Sequence, residues 1–378
     1  MRKSARKCLE IFLFIVISFI LGSMFTLSVM PIDKTCMLQD SDREYNVMQN
    51  EKFRNPELII LILSAPDNLE KRNTIRNTWL KSIPNTNQRS NRYEKFVFKH
   101  YFVIGSLGLT ATQNQQFIIE QMEFKDILML PLHDSYKNLT EKVKRSFQYL
   151  DDQYDYGLGF KYVLKCDDDS FVNLKNLIPE LMNIEKMYIS ENSERTLEKI
   201  EEKNHILSLN VQTDGKIAKN ELSLYWGYFS GNARIKTKGK WKQSDWIASD
   251  RYIPYAVGGG YLLSKNLISY IAKNAHYLRS FNNEDVSVGF WLAPVNNVLR
   301  VHDVRFDTEW TSRGCKNSNL VTHSISPSEM VKLFKNLVNS GLMCLEQTMK
   351  RKHYLYDWKV PPSQCCKTGD NVIKLTGN

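Results

Sequence analysis

The chain has 378 residues, 42% of them hydrophobic, and a formal net charge of +10. That length and apolar content suit one large α/β domain or two smaller ones. Lys and Arg are spread along the chain with no basic run beyond short ones near the termini, which argues against a nucleic-acid partner.

The chain opens with Arg2, Lys3, Arg6 and Lys7, and Ile11 to Met30 then carries no charge. At ~1.5 Å rise per residue such a helix spans about 30 Å, the thickness of a bilayer's hydrocarbon core. Four basic residues before this run, against a balanced Asp33 and Lys34 after it, place the N-terminus in the cytosol. A cleaved signal peptide is the competing reading, but the run exceeds a typical apolar signal region and no A-x-A site follows. The expectation is therefore a cytoplasmic tail over 1–10, a transmembrane signal anchor over 11–30 and a lumenal body. Residues 31–55 are polar and mixed and read as a stem. A globular domain is expected over 56–366 and a tail over 367–378.

The body begins with Leu58 to Leu63, a continuous aliphatic strand. A helix carrying Arg72 to Leu80 follows, then a strand around Phe96–Ile104 and a helix around Asn114–Phe124. After these come a short strand at Ile127–Leu130, a helix from Leu139 to Leu150 and the strand Tyr162–Cys166. Alternating strands and helices indicate an α/β sheet with crossover connections. Ligands collect outside the carboxyl ends of such strands. Residues 183–205 read as a charged, solvated helical or disordered insertion.

Asp167-Asp168-Asp169 falls at such a strand end, directly after Tyr162-Val163-Leu164 and before Phe171-Val172. Three mutually repelling carboxylates there are tolerated mainly around a cation. Side chains alternate along an extended backbone, so Asp167 and Asp169 face one way and Asp168 the other. That pair suits a hard divalent ion with positions left open for a diphosphate.

Four further elements accompany the triplet. Arg72 and Arg76 lie at i, i+4 on one helical face, a plausible diphosphate clamp. Tyr255-Ala256-Val257-Gly258-Gly259-Gly260-Tyr261 is a glycine run in a strand context, where a backbone comes close to a ligand. Glu284 and Asp285 precede Gly289 and Trp291 as paired carboxylates, a candidate general base. His323 is a candidate imidazole metal ligand. Asn138-Leu139-Thr140 is an N-glycosylation sequon.

Of the seven cysteines, Cys8 precedes the apolar run and Cys36 lies in the stem. Cys166 ends the buried strand and reads as a core thiol. Cys315, Cys344, Cys365 and Cys366 could form two disulfides in an oxidising compartment. Three connectivities are possible, and the adjacent Cys365 and Cys366 are not expected to pair with each other.

Taken together, the R-x-x-x-R-x-T-W, D-D-D, G-G-G-Y and E-D-V blocks resemble, in order, the β-1,3-galactosyltransferase superfamily, glycosyltransferase family 31. The resemblance runs from about residue 57 to residue 366. Tyr225 to Gly231, Glu284 to Pro294, Arg305 to Glu309, Arg313-Gly314-Cys315 and Tyr356 to Cys366 are most similar to the type that builds the glycosaminoglycan linkage region. The resemblance implies a GT-A-like fold with a nucleotide-binding half and a smaller acceptor half around one mixed sheet. It implies inverting transfer of galactose from UDP-galactose, in β-1,3 linkage, onto galactosyl-xylose of a proteoglycan core protein. It also implies a type II enzyme of the Golgi membrane.

On this reading Asp169 and His323 would hold Mn²⁺, and Asp167, Asp168, Arg72, Arg76, Gly259 and Gly260 would contact the donor. Asp285 would be the base, Glu284 would orient a sugar, and Trp226 would stack on the acceptor. Trp291 is a second candidate for stacking, with core packing the stronger reading because it follows the base in an apolar stretch. The alternatives are a β-1,3-N-acetylglucosaminyltransferase, or an inactive lumenal glycan-binding protein. The intact Asp169, Asp285 and His323 argue against the latter.

Overall fold

The computed structural model describes residues 55–83, 96–189, 209–212 and 222–366, with residue 18 besides. The expected tail, anchor and stem over 1–55 fall almost wholly outside these residues, as do 190–205 of the charged insertion and the tail from 367. Among the described residues no helix is long and apolar enough to cross a membrane.

Leu58–Leu63 forms β1, and all six of its side chains are buried, as a strand covered on both faces requires. The other strands of the main sheet are β2 (Phe98–Leu107), β3 (Ile127–His133), β4 (Tyr162–Asp167), β6 (Leu209–Gln212), β7 (Leu224–Ser230), β8 (Tyr255–Ser264) and β9 (Leu299–Asp303). They stand in the order β3-β2-β1-β4-β8-β7-β9-β6. The first four are mutually parallel; β8 is antiparallel to β4, and β7 to β8. A mixed α/β sheet results, with apolar clusters on both faces, one around Ile60, Leu164 and Trp226 and the other around Ile59, Val163 and Tyr261.

The helices are α1 (Leu69–Asn77), α2 (Ala111–Phe124), α3 (Leu139–Asp155), α4 (Leu174–Ile189), α5 (Lys265–Lys273), α6 (Glu284–Leu292) and α7 (Pro327–Ser340). α2 starts at a capping box of Thr110 and Gln113, and α7 at one of Ser326 and Glu329. α1 stops earlier than its sequence suggests, because Thr78 leaves helical geometry before a short 3₁₀ turn at Trp79–Lys81. β3 runs on past Leu130 through Pro131, which an edge strand accommodates.

A second, three-stranded sheet decides the position of the site. It consists of β5 (Phe171–Val172), β10 (Phe306–Asp307) and β11 (Val321–Thr322), in the order β10-β11-β5. β11 pairs Thr322 with Phe171, so the residue after β11 is brought against the residues before β5.

Two disulfides are present. Cys315 bonds Cys344, and Cys365 bonds Cys366 across a Cα separation of 3.7 Å. The second corrects the expectation that these neighbours would not pair with each other. With Cys344 engaged by Cys315 and Cys166 buried within β4, each has its neighbour as the cysteine at hand among the described residues. Cys166 is a free, buried thiol, as expected.

Candidate active site

β4 ends at Asp167, and the chain turns there with the Ser170 amide donating to the Asp167 carbonyl. The turn sends Asp167 and Asp169 to one side and Asp168 to the other. His323, the residue after β11, closes the first side, with Nε2 3.1 Å from Asp169 Oδ1 and 3.9 Å from Asp167 Oδ2. One ligand atom from each of Asp167, Asp169 and His323 lies within 4.8 Å of the others.

The tautomer of His323 follows from its other nitrogen. Nδ1 lies 2.8 Å from the Glu309 carbonyl oxygen, which can only accept, so Nδ1 carries a hydrogen and Nε2 is the nitrogen turned toward the carboxylates, donating to Asp169 when the ring is protonated and free to ligate a metal when it is neutral. Burial pulls the His323 pKa down, but Asp169 and Asp167 outweigh it and raise the imidazole above its usual range. Two carboxylates and an oriented imidazole, all partly open to solvent, fit a divalent ion that takes mixed oxygen and nitrogen ligands. Asp167 thus stands with Asp169 and His323 as a candidate metal ligand, where the sequence reading used it as a donor contact.

Asp168 is buried on the far side. Lys71 Nζ donates to Oδ1 at 2.9 Å, while Ser64 and Asn68 donate to Oδ2 at 2.9 and 2.7 Å. Its acceptor capacity is engaged by α1 and the β1 end, which corrects its assignment as a donor-sugar contact.

The paired carboxylates open α6. Asp285, half-buried, accepts from the Gly258 amide through Oδ2 at 3.0 Å and from the Val286 amide through Oδ1 at 2.8 Å. Burial raises its pKa, opposed by the hydrogen bond from Val286 and the charge of Lys165. Glu284 is fully buried. It accepts from Tyr261 Oη at 2.8 Å and pairs with Lys165 Nζ at 2.5 Å. Burial pushes its carboxyl up to about 7 against the pull of Lys165.

Lys165 is the residue that sequence reasoning missed. Its ammonium donates to Asp167 Oδ1 at 2.9 Å, to the Gly258 carbonyl at 2.6 Å and to Glu284 at 2.5 Å. Although burial alone would lower the pKa of this lysine, Asp167 and Glu284 hold it well above its ordinary value. The signal was present, since Lys165 stands two residues before Asp167 in an otherwise apolar strand and so shares its face.

The glycine run makes room for the site's own atoms. A Cβ at Gly258 would meet Glu284 Oε1 at 2.9 Å, and one at Gly259 would meet the Thr308 carbonyl at 2.6 Å and His323 Cγ at 2.7 Å. At Gly260 it would touch Val321 at 3.0 Å. The close approach at Gly259 and Gly260 is to His323, β11 and the loop after β10.

Two other expectations are overturned. Arg72 is buried and bonded in fork geometry to Glu120, at 2.8 Å for both contacts. Arg76 is bonded likewise to Asp126 and also to Glu120. They pin α1 to α2 and the adjoining turn, so they form no diphosphate clamp. The reason is local: an arginine pair beside two buried carboxylates is drawn inward by charge pairing and does not reach a ligand. Trp226, expected to stack on the acceptor, is fully buried against Phe306, with Nε1 donating to Asp303 Oδ2 at 3.1 Å. It is core, as is Trp291.

Asn138 lies just before α3, half-buried, and spends one amide hydrogen on the His133 carbonyl. Thr140 of the same sequon is buried and donates to the Phe281 carbonyl.

A family model described as Galactosyltransferase matches residues 70–302. Beta-1,3-galactosyltransferase 6 of Mus musculus is 38% identical over 316 residues, covering 83% of this chain and 84% of the relative. Hydroxyproline O-galactosyltransferase GALT6 of Arabidopsis thaliana is 27% identical over 75% of this chain, which spans 35% of that longer relative. UDP-GalNAc:beta-1,3-N-acetylgalactosaminyltransferase 2 of Xenopus tropicalis is 25% identical, covering 63% of this chain and 41% of the relative.

Proposed function

The chain belongs to the galactosyltransferase family and is a galactosyltransferase, and on that premise we propose an inverting β-1,3-galactosyltransferase that uses UDP-galactose and a galactose acceptor. The acceptor we assign is galactosyl-xylose on a proteoglycan core protein. Support for the β-1,3 linkage is the 38% identity to the mouse relative of that name. Support for the acceptor is the similarity of the blocks at 225–231, 284–294 and 356–366 to the linkage-region type.

One observation carries the mechanism: Lys165 joins a carboxylate–imidazole cluster to the buried Glu284 of the carboxylate pair at the N-terminus of α6. Asp167, Asp169 and His323 would hold Mn²⁺, which when bound would neutralise charge gathering on the diphosphate leaving group. Asp285 is the base. Two backbone amides fix its orientation, and its raised pKa strengthens it as a proton acceptor relative to an ordinary aspartate.

In the step itself, the acceptor 3-hydroxyl oxygen bonds to the galactose anomeric carbon as the bond from that carbon to the diphosphate breaks. The hydroxyl proton goes to Asp285 and UDP leaves. One displacement converts an α-linked donor to a β-linked product. Glu284, buried with one oxygen on Lys165 and the other on Tyr261, holds the start of α6 in register with β8 and so positions the base beside it; with both oxygens engaged it does not serve as the sugar-orienting contact expected from sequence.

We further assign the chain to the Golgi membrane as a single-pass type II protein. The uncharged 11–30 segment behind four basic residues supports this, and the Cys315–Cys344 disulfide fits an oxidising lumen. The test of function is donor hydrolysis and transfer to a galactosyl-xyloside across UDP-sugars, with and without Mn²⁺. Preference for UDP-galactose and a β-1,3 product supports the reading. Transfer confined to another UDP-sugar, or none to the galactosyl-xyloside, overturns it.

A further inference from the structure

The segment between β7 and β8 holds a concentration of charge that the mechanism does not use. Residues 231–252 contain six cations, Arg234, Lys236, Lys238, Lys240, Lys242 and Arg251, against two carboxylates, Asp245 and Asp250. Arg251 and Asp250 approach each other, and Asp245 is drawn to Arg279. The other five cations are exposed, and no ion pair joins them to a carboxylate among the described residues.

This segment is folded, and it is fastened to the catalytic helix. The Gln243 amide donates to the Lys236 carbonyl at 2.7 Å, and the Tyr252 amide to the Ala233 carbonyl at 3.0 Å, closing it as an irregular hairpin. The Asn282 side chain donates to the Lys240 and Lys242 carbonyls at 3.0 and 3.1 Å, and the Asn283 side chain to the Trp241 carbonyl at 3.1 Å. Asn282 and Asn283 are the two residues before Glu284 and Asp285. Lys240 also lies over the rings of Trp241 and Tyr136, at 4.6 and 5.8 Å from their centroids, and Tyr136 Oη donates to Asn283 Oδ1 at 3.2 Å. The segment that carries the cations is therefore tied at Lys240–Lys242 to the two residues that lead into Glu284 and Asp285.

We infer that this basic hairpin is an acceptor-binding surface, and that its partner is an acidic peptide segment flanking the glycosylated residue. The inference rests on the acceptor proposed above. If the attacked hydroxyl belongs to the second sugar of a protein-linked chain, only two sugar rings separate Asp285 from the core protein. Exposed cations on a segment tied to the start of α6 are then within reach of peptide. Convergent donors would suit a single anion, whereas side chains at positions 234, 236, 238, 240 and 242 are distributed along the segment and suit several carboxylates in series. Exposed charges of this kind act on encounter, so their effect is largest at low salt and is screened over ~10 Å at 0.1 M.

The test compares three acceptors: galactosyl-xylose on a peptide with Asp and Glu on both sides of the serine, the same peptide with Asn and Gln, and the free galactosyl-xyloside. The enzyme variant is Lys236→Gln, Lys238→Gln, Lys242→Gln, whose folding is reported by UDP-galactose hydrolysis, a reaction these lysines do not serve. The expected result is about a tenfold higher kcat/KM on the acidic than on the neutral glycopeptide at low salt, carried by KM. That ratio should fall to near one in 0.5 M salt and in the variant. Equal use of both peptides by the parent enzyme overturns the inference and leaves the proposed function standing. So does an acidic preference that survives in the variant, or a preference removed only by sulfated glycan or anionic vesicles and not by free acidic peptide. Failure to transfer to any of the three acceptors overturns the proposed function itself.

Discussion

Lys165 Nζ lies 2.5 Å from Glu284 Oε1 and 2.9 Å from Asp167 Oδ1, so one buried ammonium ties the end of β4 to the start of α6. Removing it leaves Glu284 buried without its charge partner, a change that costs roughly 3–5 kcal/mol. Lys165→Met should lower the denaturant midpoint accordingly, and Lys165→Met with Glu284→Gln should recover part of the loss. An unchanged midpoint in the single variant would show that the pair does not hold the two elements together.

Arg72 and Arg76 offer a contrasting case. Because Arg72 is forked onto Glu120, which also holds Arg76, Arg72→Ala should destabilise the fold by about 2–4 kcal/mol. The KM for UDP-galactose of the protein that remains folded should stay within about twofold of the parent, read from folded concentration and initial rates. A tenfold rise in donor KM at full stability would restore the diphosphate clamp.

For the metal, excess chelator should abolish transfer and Mn²⁺ should restore it. Asp169→Asn and Asp167→Asn should each weaken Mn²⁺ binding in a spin-resonance titration, since both carboxylates face His323. Asp168→Asn should leave Mn²⁺ affinity alone, because that carboxylate is bonded to Lys71, Ser64 and Asn68. Undiminished turnover in excess chelator would remove the metal from the mechanism.

The pH dependence follows from the burial of the carboxylate pair. Glu284 sits near 7 and Asp285 lies above the ordinary aspartate range, so both gain protons at higher pH than exposed carboxylates do. Transfer requires the ionised base and is faster with the Lys165–Glu284 pair intact, so kcat should decline as pH falls through about 7. Glu284→Gln is neutral at every pH. In that variant the acid limb should move down to the titration of Asp285 alone, with a lower plateau. A limb that stays in place would assign it to another group.

Much of the scaffold can be read directly from residue pattern. Leu58–Leu63, Tyr162–Cys166 and the intervening helices announce themselves by apolar runs and spacing, and the D-x-D alternation puts Asp167 and Asp169 on one side. His323 could be named, but its approach to Asp169 depends on β11 pairing with the two-residue β5, a contact 150 residues apart that no local pattern encodes. The errors share a cause. Arg72, Arg76 and Trp226 have the chemistry of ligand contacts, and only their burial against Glu120, Asp126 and Asp303 shows them spent within the fold. The basic hairpin escaped notice because its cations alternate with Ile235, Thr237, Gly239 and Trp241 and make no contiguous run.

The central claim is that Asp285 is the general base, and Asp285→Asn tests it most directly because the amide keeps the shape and removes the basicity. Transfer to galactosyl-xyloside should fall by ~10²–10⁴-fold in kcat, while UDP affinity and the Mn²⁺ requirement stay near those of the parent enzyme. Glu284→Gln, measured alongside, should cost less. Ordinary turnover by Asp285→Asn, or a larger loss in Glu284→Gln with the fold intact, would contradict the assignment.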